Sequence, residues 1–313
     1  MKSKIAIFCA FVAVYVFALF YNPQRYLALC YDGIKLWAQC VLPALFPFMV
    51  IVMLIINLLP KRQRYSSFII KKLKLPQIAL QILAMSIFSG YPAGSKIVSQ
   101  YYKMGAIDDV AAKKLCTLCS TSGMLFLLST LGGKIFDSAK CGYILLISHF
   151  VSVMAVGFAV CLILPPCKNL LVPQINEHKN VLYESFYSAT IAVIIAGGFI
   201  CFFYTFAAIA YDLKLLYPIE WLLTPIFGQD IARAISVGLI EATGGCSYLK
   251  NVTSIFALPV AGFLATFGGV SILCQQLCYL LNCKIKVSYF VLIKFLQAVT
   301  CFIIALILSL LFL

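Results

Sequence analysis

Seven stretches of this chain run for seventeen residues or more with at most one charged side chain each: residues 5–21, 36–59, 115–131, 142–164, 189–210, 255–281 and 287–312. A bilayer crossing takes about 20 consecutive apolar residues as an α-helix. Hydrocarbon offers no partner to backbone N–H and C=O groups, and the helix satisfies them internally. With 63% hydrophobic and 11% charged residues and a mean hydropathy of +1.03, the 313-residue chain has more apolar surface than one soluble core can hide. The expected fold class is therefore an all-α polytopic membrane protein.

The net charge of +14 would suggest nucleic acid in a soluble protein. Here the basic residues sit in short loops between apolar segments, where they set topology instead. No nucleic-acid partner is expected; the lipid bilayer is. The fourteen cysteines lie mostly inside apolar runs and read as small hydrophobes, not as a disulfide framework. The N-terminal run lacks a small-x-small cleavage site, since Phe20, Tyr21 and Asn22 follow it. That favours an uncleaved anchor helix over a signal peptide.

Two further apolar segments, 77–102 and 222–247, are broken in the middle by Ser89-Gly90-Tyr91-Pro92-Ala93-Gly94 and by Glu241-Ala242-Thr243-Gly244-Gly245. Each reads as helix, turn and helix, a re-entrant hairpin. Seven crossings and two hairpins, started from the inside, put fifteen Lys and Arg residues on the cytoplasmic side and six, Arg25, Lys35, Lys134, Lys140, Lys214 and Lys250, on the other. This asymmetry predicts a cytoplasmic N-terminus and an external C-terminus. Lys96, Arg233 and Lys294 fall inside apolar or hairpin segments and call for a functional or pairing explanation.

The chain repeats its own plan. Residues 1–33 form an anchor helix and loop, 34–166 a first repeat with its hairpin near 77–102, 167–187 a cytoplasmic linker, and 188–313 a second repeat with its hairpin near 222–247. Each repeat holds three crossings, so the second enters from the opposite face. Inverted repeats with discontinuous helices are the architecture of secondary transporters, whose sites lie where the broken helices meet. Glycine and proline are also simply frequent in membrane helices, and Gly268-Gly269 could serve close packing alone.

Lys96 follows the first hairpin tip and Glu241 opens the second, and pseudo-symmetry would bring both to the centre. There Lys96 could meet an anion and Glu241 a proton, a cation or a basic partner; a structural pair of Glu241 with Arg233 is the plainer alternative. Ser120, Thr121, Ser122 and Gly123 interrupt one helix. Gly268, Gly269, Ser271, Gln275 and Gln276, with Thr266, interrupt its counterpart. They supply hydroxyls, amides and open backbone for a polar solute. Half-helix N-termini aimed inward would favour an anion. Cys116 and Cys119 lack a second pair, so no metal or other cofactor is expected. No Ser/His/Asp set, HExxH helix or intramembrane aspartate pair suggests an enzyme. The stretch 61–74, KRQRYSSFIIKKLK, reads as a positive-inside loop or a surface helix on anionic lipid.

"LPALFPFMV" from residue 42, "SGYPAGSK" from 89, "GLIEATGG" from 238 and "FGGVSILCQ" from 267, in this order, resemble the sporulation integral membrane proteins of the YlbJ (SpoVV) type. Those proteins have two Gate, or nucleoside-recognition, domains and are distantly like concentrative nucleoside transporters. The resemblance implies a role in endospore formation, moving dipicolinic acid from the mother cell across the outer forespore membrane. Carried over by motif, Ser89, Gly90, Tyr91, Pro92, Gly94 and Lys96 belong to the first hairpin and Glu241 with Gly244 to the second; Ser95 and Thr243, beside them, are further expected substrate-binding residues. Ala242-Thr243-Gly244 stands where the family usually has Thr-Asn-Gly, so one amide is missing. The coupling ion, sodium or proton, stays open, and a homo-oligomer is compatible with such a fold. A nucleoside or other small-solute transporter and a non-transporting sporulation scaffold are the alternative readings.

Overall fold

The computed structural model describes residues 2–58, 68–168, 170 and 180–313, and every regular element among them is helical. Residues 61–67 of the basic stretch and residues 169 and 171–179 of the central linker lie outside the described residues. Helix α1 (Lys2–Tyr21) is followed by α2 (Pro23–Leu36), a π-helical turn (Trp37–Val41) and α3 (Leu42–Leu58). The loop expected before residue 34 is therefore helix, and Pro23–Leu58 is one run of 36 residues. Asn22 explains its start: its side-chain oxygen accepts from the Arg25 amide at 3.2 Å, and Pro23 occupies the first turn. The charges that suggested a loop are accommodated, because Arg25 pairs with Asp212 and Lys35 with Asp32 while Tyr26 and Gly33 are buried.

The first broken unit comprises α4 (Phe68–Lys72), α5 (Ala79–Ser89), α6 (Ala93–Lys103), α7 (Asp109–Cys119), the π-helical segment Phe126–Ile135 and α8 (Ala139–Ile163). Helix α9 (Val181–Asp212) starts earlier than its apolar core suggested. Asn180 caps it, accepting from the Tyr183 amide at 3.1 Å. Then come α10 (Tyr217–Phe227), α11 (Gln229–Gly238), α12 (Ala242–Ser247), α13 (Ala257–Phe267), α14 (Gly269–Leu280) and α15 (Val287–Phe312).

The hairpin expected over 222–247 is divided differently. Gly228, at φ +83°, ends α10, so the segment's first part is a separate helix. The antiparallel hairpin is α11 with the short α12, turning through residues 239–241. An apolar run with Pro225 and Gly228 in it gave no sequence signal to tell a helix end from a kink. The interruptions expected at 120–123 and at Gly268 are both present.

Among the described residues, five runs are long and apolar enough to cross a membrane: Pro23–Leu58, Ala139–Ile163, Val181–Asp212, Ala257–Cys283 and Val287–Phe312. Within hydrocarbon, helix association is driven by close packing more than by water release. Four packed clusters result among the described residues, two of them large. In one, Met49, Ile56, Ile82, Ile97 and Leu115 meet Val193, Leu273 and Phe290. In the other, Ile231, Leu249 and Leu264 meet Leu127 and Leu145. Each hairpin thus packs against elements from the other half of the chain.

Candidate functional site

The tip of the first hairpin lies on the break after α7. Gly90 has φ +69°, and a Cβ there would stand 2.5 Å from the Gly123 amide nitrogen, so only glycine permits the approach. Gly94 touches the same break one turn on, where an added Cβ would collide with the Cys119 carbonyl oxygen. Thr121 donates its hydroxyl to the Ser86 carbonyl at 3.1 Å, which pins the break to α5.

The second hairpin meets the break before α14 in the same manner. Gly269, at φ +63°, would put a Cβ 2.6 Å from the Gly238 carbonyl oxygen. The amides of Val270 and Ser271 donate to the carbonyls of Leu239 and Ile240 at 2.8 and 3.0 Å. Backbone groups that hydrocarbon could not satisfy are thus paired break to break.

Between these two junctions runs a buried polar chain. Tyr91 donates its hydroxyl to the Thr266 carbonyl at 3.0 Å and accepts from the Lys294 ammonium at 2.7 Å. Lys294, fully buried, also donates to the Ser120 carbonyl at 3.1 Å and lies over the Tyr91 ring at 4.7 Å. Ser95 and Ser120 both donate to Oε1 of Gln276, the first at 3.1 Å. The Gln276 Nε2, also buried, has no partner among the described residues. His149 ties the two interrupted helices together. Its Nε2 accepts the Ser122 amide at 2.8 Å, so its Nδ1 carries the proton and donates to the Thr266 hydroxyl at 2.9 Å.

Not every expected residue joins this cluster. Ser89 returns its hydroxyl to the Met85 carbonyl at 2.7 Å. Lys96 faces α9, where it donates to the Ser188 carbonyl and to the Ser188 hydroxyl at 2.7 Å. Glu241, fully buried, caps its own helix by accepting from the amides of Gly244 and, at 3.2 Å, Thr243. Lys96 and Glu241 therefore do not meet, and the three ion pairs among the described residues leave both out. Nor does Glu241 pair with Arg233, which lies over the rings of Tyr211 and Tyr248.

Two half-helix N-termini are also spoken for: the Glu241 carboxylate holds that of α12, and the Leu239 and Ile240 carbonyls hold that of α14. Gln275 donates to the Ser271 hydroxyl at 3.3 Å within α14, and Gly268 is the left-handed cap that ends α13. Sequence reasoning noted Lys294 without placing it, and gave His149 no role. Their signal was only an isolated polar residue in an apolar run. Lys114, read as a loop residue, is a contrasting case: it is buried in α7 and donates to the carbonyls of Leu73 and Lys74 at 3.0 and 3.3 Å.

The architecture is that of an integral membrane protein in which two helical hairpins and two interrupted helices meet around buried polar side chains. Over 89% of its length the chain is 23% identical to the sporulation integral membrane protein YlbJ of Bacillus subtilis, covering 76% of that relative. This similarity supports the YlbJ-type resemblance read from the motifs. No protein-family model matches the chain. No solved structure matches it either.

Proposed function

We propose that this protein is a sporulation membrane transporter that carries dipicolinic acid, a small planar dianion, out of the mother cell across the outer forespore membrane. One observation carries the reading: Lys294 lies where the first hairpin tip and the first helix break converge, with no carboxylate in ion-pair range among the described residues. A buried ammonium without a counter-ion is costly, and a transported anion supplies one intermittently. Beside it, the free Nε2 of Gln276 is a second donor and the Tyr91 ring an aromatic face. The Gate-domain kinship and the inverted-repeat arrangement belong to the same reading, with the N-terminus cytoplasmic and the C-terminus outside.

Transport by alternating access moves α5–α7 and α11–α14 against α3 and α9. Lys96 then has a mechanical task, since its bonds to Ser188 join the first hairpin to α9. Glu241 holds the second hairpin's turn and is the group best placed to carry a coupling proton.

The test is saturable uptake of labelled dipicolinate into proteoliposomes, beside a uridine control. The Lys294→Met variant is expected to abolish uptake. Uridine entering in place of dipicolinate overturns the substrate and favours a nucleoside carrier. Silence for both solutes, with folded protein, favours a scaffold.

A further inference from the structure

A cavity of about 170 Å³ lies among α2, α9, α11 and α12 and shares no lining residue with the Lys294 cluster. Its polar lining comes from Arg25, Tyr204, Tyr211, Asp212, Arg233 and Tyr248. The two arginines differ. Arg25 is engaged, donating from Nε and Nη2 to the two Asp212 carboxylate oxygens at 2.8 Å each. Arg233 is not: it lies 4.2 Å from the Tyr211 ring centre and 5.3 Å from that of Tyr248, and no carboxylate among the described residues is in ion-pair range. Its buried Nε has no hydrogen-bond partner, and neither has the buried Oε1 of Glu220, which is beyond ion-pair distance.

A guanidinium stacked on aromatic rings keeps its N–H groups in its own plane, where they match the two oxygens of a carboxylate. At the same end of the helices, the exposed Tyr21, Tyr217 and Trp221 have the character of side chains at a lipid–water boundary. The cavity's mouth is therefore within reach of a solute in water. We propose that the cavity is a second anion site, which captures a small planar carboxylate on the Arg233 edge with its ring among the tyrosines. This goes beyond the transport reading, and equilibrium binding tests it whether or not flux occurs.

Unaltered protein in detergent is treated with phenylglyoxal, and modification of each arginine is followed by mass spectrometry with benzoate or neutral benzyl alcohol present. Saturating benzoate is expected to slow modification of Arg233 by at least about tenfold. Benzyl alcohol is expected to leave the rate unchanged. An Arg233 that reacts equally fast with benzoate, or never reacts, overturns the proposal. Binding of labelled benzoate gives the second test. Arg233→Gln should lose the site, Arg233→Lys should weaken it about tenfold because the fork is gone, and Lys294→Met should retain it. Unchanged binding by folded Arg233→Gln protein overturns the assignment.

Discussion

The first hairpin sends its polar groups outward, to α9, α13, α14 and α15, whereas the second turns the acid at its tip back on itself. Tyr91, Ser95 and Lys96 each bond a different helix of the other half. Glu241 bonds only amides within three residues of itself. The two tips look alike in sequence, each with glycines and one ionisable residue, yet the first reaches other helices through its side chains, whereas the second caps itself with its ionisable side chain and meets α14 only through backbone groups. The charge at the first junction comes from α15, about two hundred residues further along the chain.

Three pairs of substitutions sharpen that contrast. The largest effect is expected at Lys294. Its replacement by Met removes the charged donor to both Tyr91 and Ser120, each bond worth roughly 1.5–3 kcal/mol, together with the cation proposed to meet the anion, and should abolish uptake. Ser188→Ala, which takes away one of the two Lys96 bonds, should reduce uptake far less. Equal losses in the proteoliposome assay would erase the distinction between a site lysine and a scaffold lysine.

Next comes Gly94→Ala, whose methyl meets the backbone carbonyl of Cys119, a group that cannot swing aside. Overpacking of this kind costs about 1–3 kcal/mol. Gly244→Ala meets the Tyr204 ring at 3.0 Å and the Glu241 carboxylate at 3.1 Å, both ends of side chains able to shift. Unfolding in mixed micelles should show the larger loss at Gly94. The reverse order would mean that the second hairpin is the more tightly held. Third, Glu241→Ala removes an N-cap, at about 1–2 kcal/mol, and Glu241→Gln should keep part of it. Uptake that survives Glu241→Gln without any change in its pH profile would rule Glu241 out as a proton carrier.

How much of this was legible beforehand follows from the same contrast. Glycine pairs and hydroxyl runs are local signals, and in the sequence they mark the breaks expected at 89–94, 120–123 and 267–269. The partners across those breaks are not local. Nothing near residue 294 points to residue 91, and nothing near His149 points to Ser122 or Thr266. Amphipathic residues 23–35 misled in the other direction. The loop expected there holds three charges, and all three find partners on helices: Arg25 with Asp212, and Lys35 with Asp32.

The smallest expected effect lies at the water-facing end of the first unit, where Lys284 Nζ stands 3.4 Å from the Asp109 carboxylate and the Tyr102 hydroxyl donates to the same group. The Tyr102 hydrogen bond first, and then Lys284, hold the Asp109 carboxyl below the usual carboxylate range. Asp109 in turn raises Lys284. A depressed acid contributes stability above its ordinary value, about 4, and loses it as pH falls through the folded value. A raised lysine contributes below about 10.4 and loses it above. The tie between α7 and the loop before α15 should therefore hold across neutral pH and fail at both extremes. Because both groups face water, the effect on melting is small. The gap in melting temperature between the parent and Asp109→Asn should be flat near neutrality and should close as pH drops below about 4. A gap that persists in acid would assign the contribution of Asp109 to a charge-independent contact such as its hydrogen bond with Tyr102, not to Lys284.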